Sequence, residues 1–350
     1  MKKTVKVIGI AIAAIIVCIC ALLIYVTVLE YKPKDKESIE TTETGEAVEQ
    51  SQQLTVLTYN IGYAGLSKDE DFFMDGGSKV RPDSEQLIYD NLDGIYEVLK
   101  SNPADIYLLQ EVDLNSKRSY HVDQRSWLED QLQIEGFFAY NFKSAYVPYP
   151  IPTIGKVESG LLTFTDLKLT SAERISLPVP FSWPVSTCNL KRCLLETRIP
   201  IQGSDRELVI YNLHLEAYDD GEGKIAQTNM LMSLLEEEYQ KGNYVVAGGD
   251  FNQTFDSIEG YPIVNKDDWV PGVVEESSLP DGFVFAVSDN YATCRLLSDA
   301  YSGNYEESQV FVIDGYIVSD NIEVDEIAVI DTQFEHSDHQ PVIFKFSLKD

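Results

Sequence analysis

Lysine and arginine are in short supply here: 27 of them stand against 57 aspartates and glutamates, a formal net charge of −30. Such a surface repels polyphosphates and lacks the broad basic footprint of a nonspecific nucleic-acid binder, so a phosphate substrate would have to be met with bound cations. Cysteine is sparse as well, at five. The three beyond the first twenty residues, Cys188, Cys193 and Cys294, have no zinc-like spacing; Cys188 and Cys193 could pair in an oxidising compartment or pack as two thiols in a core. The chain shows no internal repeat and no break that would mark a second globular domain. What it does have is 44% hydrophobic residues over 350 positions, enough for a sizeable core and inconsistent with disorder.

Long apolar runs are confined to the start. Val7 to Leu29 carries no charge and, as a helix, would be about 34 Å long, enough to cross a bilayer. A cleaved signal peptide is the alternative, but Tyr25 to Tyr31 lacks a small-residue cleavage pattern, and Cys18 and Cys20 do not follow the small residue a lipoprotein signal needs. Lys2, Lys3 and Lys6 before the run are matched by Lys32, Lys34 and Lys36 after it. The short amino-terminal tail therefore carries the orientation, with the large domain expected outside the cell membrane. Glu30 to Gln53 is Glu, Thr, Ser, Gln and Lys with hardly any large apolar residue. The expected organisation is a cytoplasmic tail and anchor over 1–29, a flexible polar tether over 30–53, and one domain over 54–350.

Within that domain, β-branched and apolar runs predict strands at Leu54–Asn60, Asp105–Gln110, Phe137–Phe142, Gly160–Thr165, Leu194–Ile201 and Glu207–Leu213. Further strands are expected at Tyr244–Ala247, Val310–Val318, Val324–Ile330 and Val342–Leu348. Leu87, Ile88, Leu92, Ile95, Tyr96 and Leu99 recur at helical spacing between Ser84 and Pro103, and helices are also expected at Asp123–Gln133 and Gly223–Gln240. Helices falling between strand pairs predict an α+β fold of two packed sheets flanked by helices.

Several of these strands run into a small group of carboxylate, amide or imidazole residues. They are Thr58-Tyr59-Asn60, Gln110-Glu111-Val112-Asp113, Tyr211-Asn212-Leu213-His214, Gly248-Gly249-Asp250-Phe251-Asn252 and Ser337-Asp338-His339, with Ile313-Asp314-Gly315 as a sixth. Singly, each reads as an ordinary strand end or turn. Together, and in this chain order, they resemble the endonuclease/exonuclease/phosphatase superfamily, which includes DNase I-like nucleases, inositol-polyphosphate phosphatases and neutral sphingomyelinases. The resemblance runs from about Leu54 to Leu348 and implies a DNase I-like four-layer α/β sandwich of two mixed sheets between helical layers.

It also implies roles. A single hard carboxylate suits Mg²⁺ or Mn²⁺, which keep several waters, so Glu111 is the expected metal ligand, with Asn60 and Asp338 completing the site by resemblance. Asp250 and Asn252, two apart, would point the same way if the segment stays extended, one orienting water and the other holding phosphate. The family precedent pairs His339 with an acid, here Asp314, as general base or imidazolium. His214 would serve as phosphate contact or general acid, and Arg192, just before a strand, as a basic phosphate contact. His121 and His336 match no motif and are expected to be structural.

The resemblance implies a metal-dependent hydrolase of phosphate esters and leaves the substrate to the loops. Tyr146–Pro152 and Leu177–Pro184 are aromatic, proline-rich and uncharged: either stiff connections over packed rings, or exposed platforms for a lipid headgroup. The anchor and the acidic surface favour a phospholipid or small phosphoester. The alternatives are a DNase I-like nuclease acting on nucleic acid, and a surface binding module that keeps the fold without catalysis.

Overall fold

Short runs of buried apolar residues build two sheets in the computed structural model, which describes residues 2–42, 44–219, 221–266 and 268–349. The chain begins with α1 (Lys2–Val28), β1 (Lys36–Ile39), β2 (Gln53–Asn60), α2 (Glu85–Ser101), β3 (Ile106–Asp113), α3 (Gln124–Leu132) and β4 (Gly136–Val147). It continues through β5 (Gly155–Thr165), β6 (Ser171–Ser176), β7 (Cys193–Pro200), β8 (Glu207–His214), α4 (Glu222–Gln240) and β9 (Tyr244–Asp250). The short strands β10 (Gln253–Phe255), β11 (Gly272–Val274), β12 (Phe283–Ala286), β13 (Cys294–Arg295) and β14 (Val310–Phe311) precede β15 (Asp314–Ser319), β16 (Ile322–Val329) and β17 (Val342–Leu348).

One sheet has the order β1-β6-β7-β8-β9-β15-β12 and the other β16-β17-β2-β3-β5-β4. Both are mixed, because β2 and β3 run parallel in one and β8 and β9 in the other. Their facing sides share a core in which Val56, Phe344 and Phe346 of the second sheet meet Leu208, Ile210 and Val246 of the first. On the outer side of the first sheet, α4 buries Leu231 and Leu235 against Val209, Tyr211 and Val245. On the outer side of the second, α2 and α3 bury Ile88, Leu92, Ile95 and Leu128 against Leu57, Tyr59 and Leu109. Each such side chain contributes about 1.5–3 kcal/mol by leaving water. The result is the expected four-layer, DNase I-like α+β sandwich.

The helices start and stop where their polar residues dictate. Ser84 caps α2 by accepting from the Leu87 amide at 3.2 Å, and the helix ends at Ser101, two residues before Pro103. Asp123 caps α3 in the same way, through the Ser126 amide. The helix α1 is long and apolar enough to cross a membrane, with a candidate span over Lys3–Val28, and its most apolar stretch is exposed throughout.

Two expectations need correction. The described residues of 30–53 are not a loose tether: β1 pairs with β6 as the outermost strand of the first sheet, and Val48 is fully buried beside Ile201. An edge strand is held by backbone hydrogen bonds, and among the described residues of this segment only Val48 is buried, so it leaves little hydrophobic signal. The expected strand Val310–Val318 is two strands, β14 and β15. Between them the Thr293 hydroxyl takes the amides of Ile313 and Asp314, and the Ile313 carbonyl accepts from the Phe251 amide. Cys188 and Cys193 are both free thiols.

A buried ionic cluster fastens α4 to the first sheet. Arg198 on β7 reaches Glu196 at 2.8 Å, Glu207 at 3.0 Å and Glu238 at 2.6 Å, and Glu238 also accepts from Lys241 and Asn243. Burial alone would raise the Glu238 carboxyl, but these donors outweigh it and hold it at about 2. A depressed folded-state value stabilises the fold above the usual carboxylate range and loses that contribution as pH falls toward 2. Glu238→Gln should cost about 2 kcal/mol at neutral pH in urea unfolding, with the gap to the wild type closing as pH drops below about 4. A gap that does not change with pH would disprove the account.

Candidate active site

Strand register brings the acids and histidines together. In the first sheet His214, Asp250 and Asp314 are direct partners across β8, β9 and β15, so three strand ends deliver them side by side. In the second sheet Asn60 lies opposite Gln110 across β2 and β3. The Ser337–His339 loop before β17 closes the gap: the Ser337 hydroxyl donates to the Asn60 carbonyl at 2.8 Å, and the Arg295 amide donates to the Asp338 carbonyl at 2.9 Å.

Close backbone approach and left-handed turns set the side-chain directions. At Gly249 (φ 147°) a Cβ would stand 2.0 Å from the Leu213 carbonyl oxygen, so only glycine lets β8 and β9 meet here. Glu111 has φ 55°, inside an irregularity that breaks the β3–β5 ladder between Leu109 and Val112. Such a bulge re-aims a side chain, here into the cleft, at a backbone cost of about 1–2 kcal/mol. The Asp250–Asn252 segment does not stay extended: Asn252 has φ 51°, and its amide donates to Asp250 Oδ1 at 2.8 Å. The Asx turn still leaves Asn252 on the cleft wall.

Beneath the site a polar bridge joins the sheets. Gln110 Nε2 donates to Asn212 Oδ1 at 2.8 Å, and Asn212 Nδ2 donates to the Leu109 and Leu162 carbonyls at 3.2 and 3.1 Å. Both side chains are wholly buried.

Above the bridge, Asn60 Nδ2 donates to Asp250 Oδ2 at 3.0 Å and lies 3.4 Å from Glu111 Oε1. His339 Nδ1 meets Asp314 Oδ2 at 2.8 Å, and its Nε2 faces Asp250 Oδ2 at 3.7 Å. His214 Nε2 approaches the same oxygen at 3.4 Å. Burial works against a charge on His339, yet the Asp314 carboxylate and its neighbours outweigh it and hold the imidazolium well above its ordinary range. His214 goes the other way: burial, then Arg192 and His339, push it well below the ordinary histidine value, so it is neutral. Burial raises Asp250, with Asp314 adding to the shift and His339 opposing it. Asp338 is raised to about 7, first by burial, with Glu111 adding and His339 opposing.

These groups face a cleft of about 710 Å³. Glu111, Arg192, His214, Asp250, Asn252, Asp338 and His339 line it, and Asn60 and Asp314 lie directly behind them, Asn60 hydrogen-bonded to Asp250 and 3.4 Å from Glu111, Asp314 bonded to His339. Arg192 lines the cleft and is also engaged within the fold. Its Nε donates to Glu216 at 3.1 Å and its Nη1 to the His214 carbonyl at 3.0 Å, so it positions β8. His121 bonds Asn115 at the surface, and His336 packs over Gly94, both away from the cleft.

Sequence reasoning missed Arg118. It is clamped by Asp113 at 3.0 Å, lies 3.8 Å over the Tyr63 ring and places Nη2 3.5 Å from Glu111 Oε2. No motif carries it, because its partners come from separate segments. Parts of both proline-rich segments, Val147, Pro148, Tyr149 and Phe181, form the cleft wall.

The donor set suits a hard cation. Two buried carboxylates, Asp250 and Asp338, face the cleft beside Glu111, Asp314 behind them has an Oδ1 without a partner among the described residues, and burial raises both Asp250 and Asp338. A divalent ion reverses that effect. Asp250, Asp314 and His339 also place donor atoms within 4.8 Å of one another, but the His339–Asp314 hydrogen bond already uses two of those groups.

The model of the Endonuclease/Exonuclease/phosphatase family matches residues 57–305. Among solved structures, an endonuclease/exonuclease/phosphatase from Beutenbergia cavernae is similar at 17% identity and TM-score 0.59, over 85% of this chain and 72% of that one. ANGEL2, a 2′,3′-cyclic phosphatase, is similar at 16% identity and TM-score 0.56, over 91% of this chain and 100% of its own. TDP2 of D. rerio, solved with a single-strand DNA product, is similar at 13% identity and TM-score 0.53, over 85% and 99%. At these identities the structures speak for the fold alone. No curated protein matches the sequence.

Because Asn212, on the first sheet, satisfies buried groups of β3 and β5 in the second, Asn212→Ala should cost about 2–4 kcal/mol in unfolding free energy. A loss under about 0.5 kcal/mol, the size of a surface substitution, would show that the bridge does not hold the sheets in register.

Proposed function

The chain belongs to the endonuclease/exonuclease/phosphatase family, and from that premise we propose that it is a divalent-metal-dependent phosphoesterase anchored at a membrane by α1. The observation that carries the reading is the convergence of two histidines on one oxygen of Asp250, His214 Nε2 at 3.4 Å and His339 Nε2 at 3.7 Å, with His339 Nδ1 held by Asp314 at 2.8 Å.

Hydrolysis of a phosphoester needs positive charge at the phosphoryl oxygens, an oriented water and a stabilised leaving oxygen. Glu111, Asn60 and Asp338 would hold Mg²⁺ or Mn²⁺, because oxygen donors suit these ions better than the imidazole of the neighbouring cluster. When bound, the ion supplies charge neutralisation. Asp250, fixed by Asn60, accepts a proton from the attacking water, and its raised pKa makes it a better base than an exposed aspartate. His339 Nε2 and the Asn252 amide donate to the phosphoryl oxygens. His214 Nε2 lies close enough to Asp250 to donate beside it, and Arg192 keeps that ring in place through the His214 carbonyl. Arg118 tempers the charge on Glu111.

The anchor and the acidic surface favour a lipid or small phosphoester. A nuclease is the second reading: TDP2 in its product complex holds single-strand DNA within the same fold, but a net charge of −30 opposes a long polyanion.

The deciding assay offers Mg²⁺ or Mn²⁺ with DNA, RNA, phospholipids and a soluble nitrophenyl phosphodiester. Asp250→Asn and His339→Ala should each lower kcat by about 10²–10⁴-fold. The metal should raise Tm, and Glu111→Ala should abolish that rise. No turnover together with no metal-dependent Tm shift would favour a binding module with the same fold.

A further inference from the structure

Two features that catalysis does not use meet at the mouth of the cleft: the end of α1 and the pair of proline-rich loops. The last turns of α1 do not stand free. Val26 is buried, and Trp183 Nε1 donates to Thr27 Oγ1 at 3.1 Å. Just beyond the helix, Glu30 pairs with Lys191 at 2.9 Å, and Tyr31 sits edge-on to Tyr140 at 5.9 Å. The helix is thus fixed to the domain beside β4 and the 185–188 turn.

Next to that junction the surface is apolar. Trp183 is 59% exposed, Tyr149 69% and Ile151 92%, an isoleucine held out between two prolines. Tyr149, Phe181 and Val185 belong to the cleft wall, so the two loops share one rim. Apolar side chains gathered and exposed in this way mark an interaction surface. The 26-residue span Lys3–Val28 is about 39 Å long as a helix, longer than the roughly 30 Å hydrocarbon layer, so its final turn reaches the headgroups. Trp183, bonded to that turn, stands at the depth where tryptophan settles. The junction is also locally basic despite the acidic whole: Lys32 and Lys191 flank Glu30, and Lys143 lies 5.7 Å over Tyr31.

From these contacts we infer that the Tyr149–Ile151 and Trp183–Val185 loops rest on the same bilayer that α1 crosses, so that the cleft takes its substrate, a lipid headgroup phosphoester, sideways from that surface. The inference deepens the phosphoesterase reading and rests on it for the substrate. The seating itself rests on α1 as a span.

The test uses the full chain in phosphatidylcholine vesicles with brominated acyl chains. All three tryptophans lie in the domain, and Trp127 packs on Tyr96 in the helical layer of the other sheet. Brominated chains should quench the emission of the wild type, and Trp183→Phe should lose most of that quenching. Quenching that is absent, or unchanged by Trp183→Phe, overturns the seating. This arm needs no turnover, so it fails independently of the catalytic reading.

The second arm uses Ile151→Asp and Trp183→Asp, neither of which lines the cleft. Each should lower turnover of a vesicle phospholipid about tenfold and leave a soluble nitrophenyl phosphodiester unaffected. Unchanged lipid turnover, or equal loss on both substrates, overturns lateral uptake. A wild type inactive on both substrates overturns the phosphoesterase reading and the lipid substrate with it, and the quenching result alone then decides the seating.

Discussion

Asp250 and Asp338 lie out of water on the wall of one cleft, with Asp314 buried behind them and Glu111 at the edge, and the fold has to tolerate that concentration of negative charge. Removing a carboxylate from solvent costs several kcal/mol unless it is paired and hydrogen-bonded. Some of the compensation is local: His339 on Asp314, the Asn60 amide on Asp250, Arg118 beside Glu111. It is incomplete, which is why Asp250 and Asp338 are pushed up by burial. The apolar burial between the sheets and under the helices offsets the deficit. A site that strains the electrostatics to this degree needs a rigid frame on every side.

The frame is built from strand register. A parallel pair in each sheet lets neighbouring strands end together, so that His214 and Asp250 are direct partners in one and Asn60 and Gln110 in the other. The Gln110–Asn212 bridge then fixes one sheet relative to the other directly under the acids. A one-residue slip would turn every side chain on a strand to the opposite face, and the apolar alternation on the core side forbids it. Among the acids on strands, Glu111 is the one that regular register could not aim, and it is delivered by an irregular ladder and a left-handed backbone.

This division also explains what the sequence made legible. Asn60, His214, Asp250, Asp314 and His339 could be read because each lies at or beside the end of an apolar strand, where a polar residue has no core to join. Arg118 could not, since its contacts with Tyr63, Glu111 and Asp113 come from two segments, Tyr63 after β2 and the two acids on β3, and no motif joins them to it. Strand β1 was invisible for another reason: an edge strand needs backbone pairing more than apolar side chains, so a polar run read as a loose linker. The break between β14 and β15 rests on a hydroxyl, Thr293, twenty residues away in sequence. Arg192 shows the limit of reading by position: a basic residue before a strand is as well placed to hold the next strand as to hold a phosphate.

The docking of residues 30–53 changes what the anchor can do. A flexible linker would let the domain tumble, and the orientation of the cleft would average out. With Trp183 bonded to Thr27 and Glu30 paired to Lys191, the helix direction and the cleft direction are coupled. Charge then acts on the same choice. A chain of net charge −30 would be repelled from phosphate headgroups over most of its surface, at least within a screening length of about 8 Å. The face beside α1 is where Lys32, Lys143 and Lys191 gather next to exposed apolar loops. On a bilayer crossed by α1, repulsion elsewhere and attachment here would select the same face, and that face carries the mouth of the cleft.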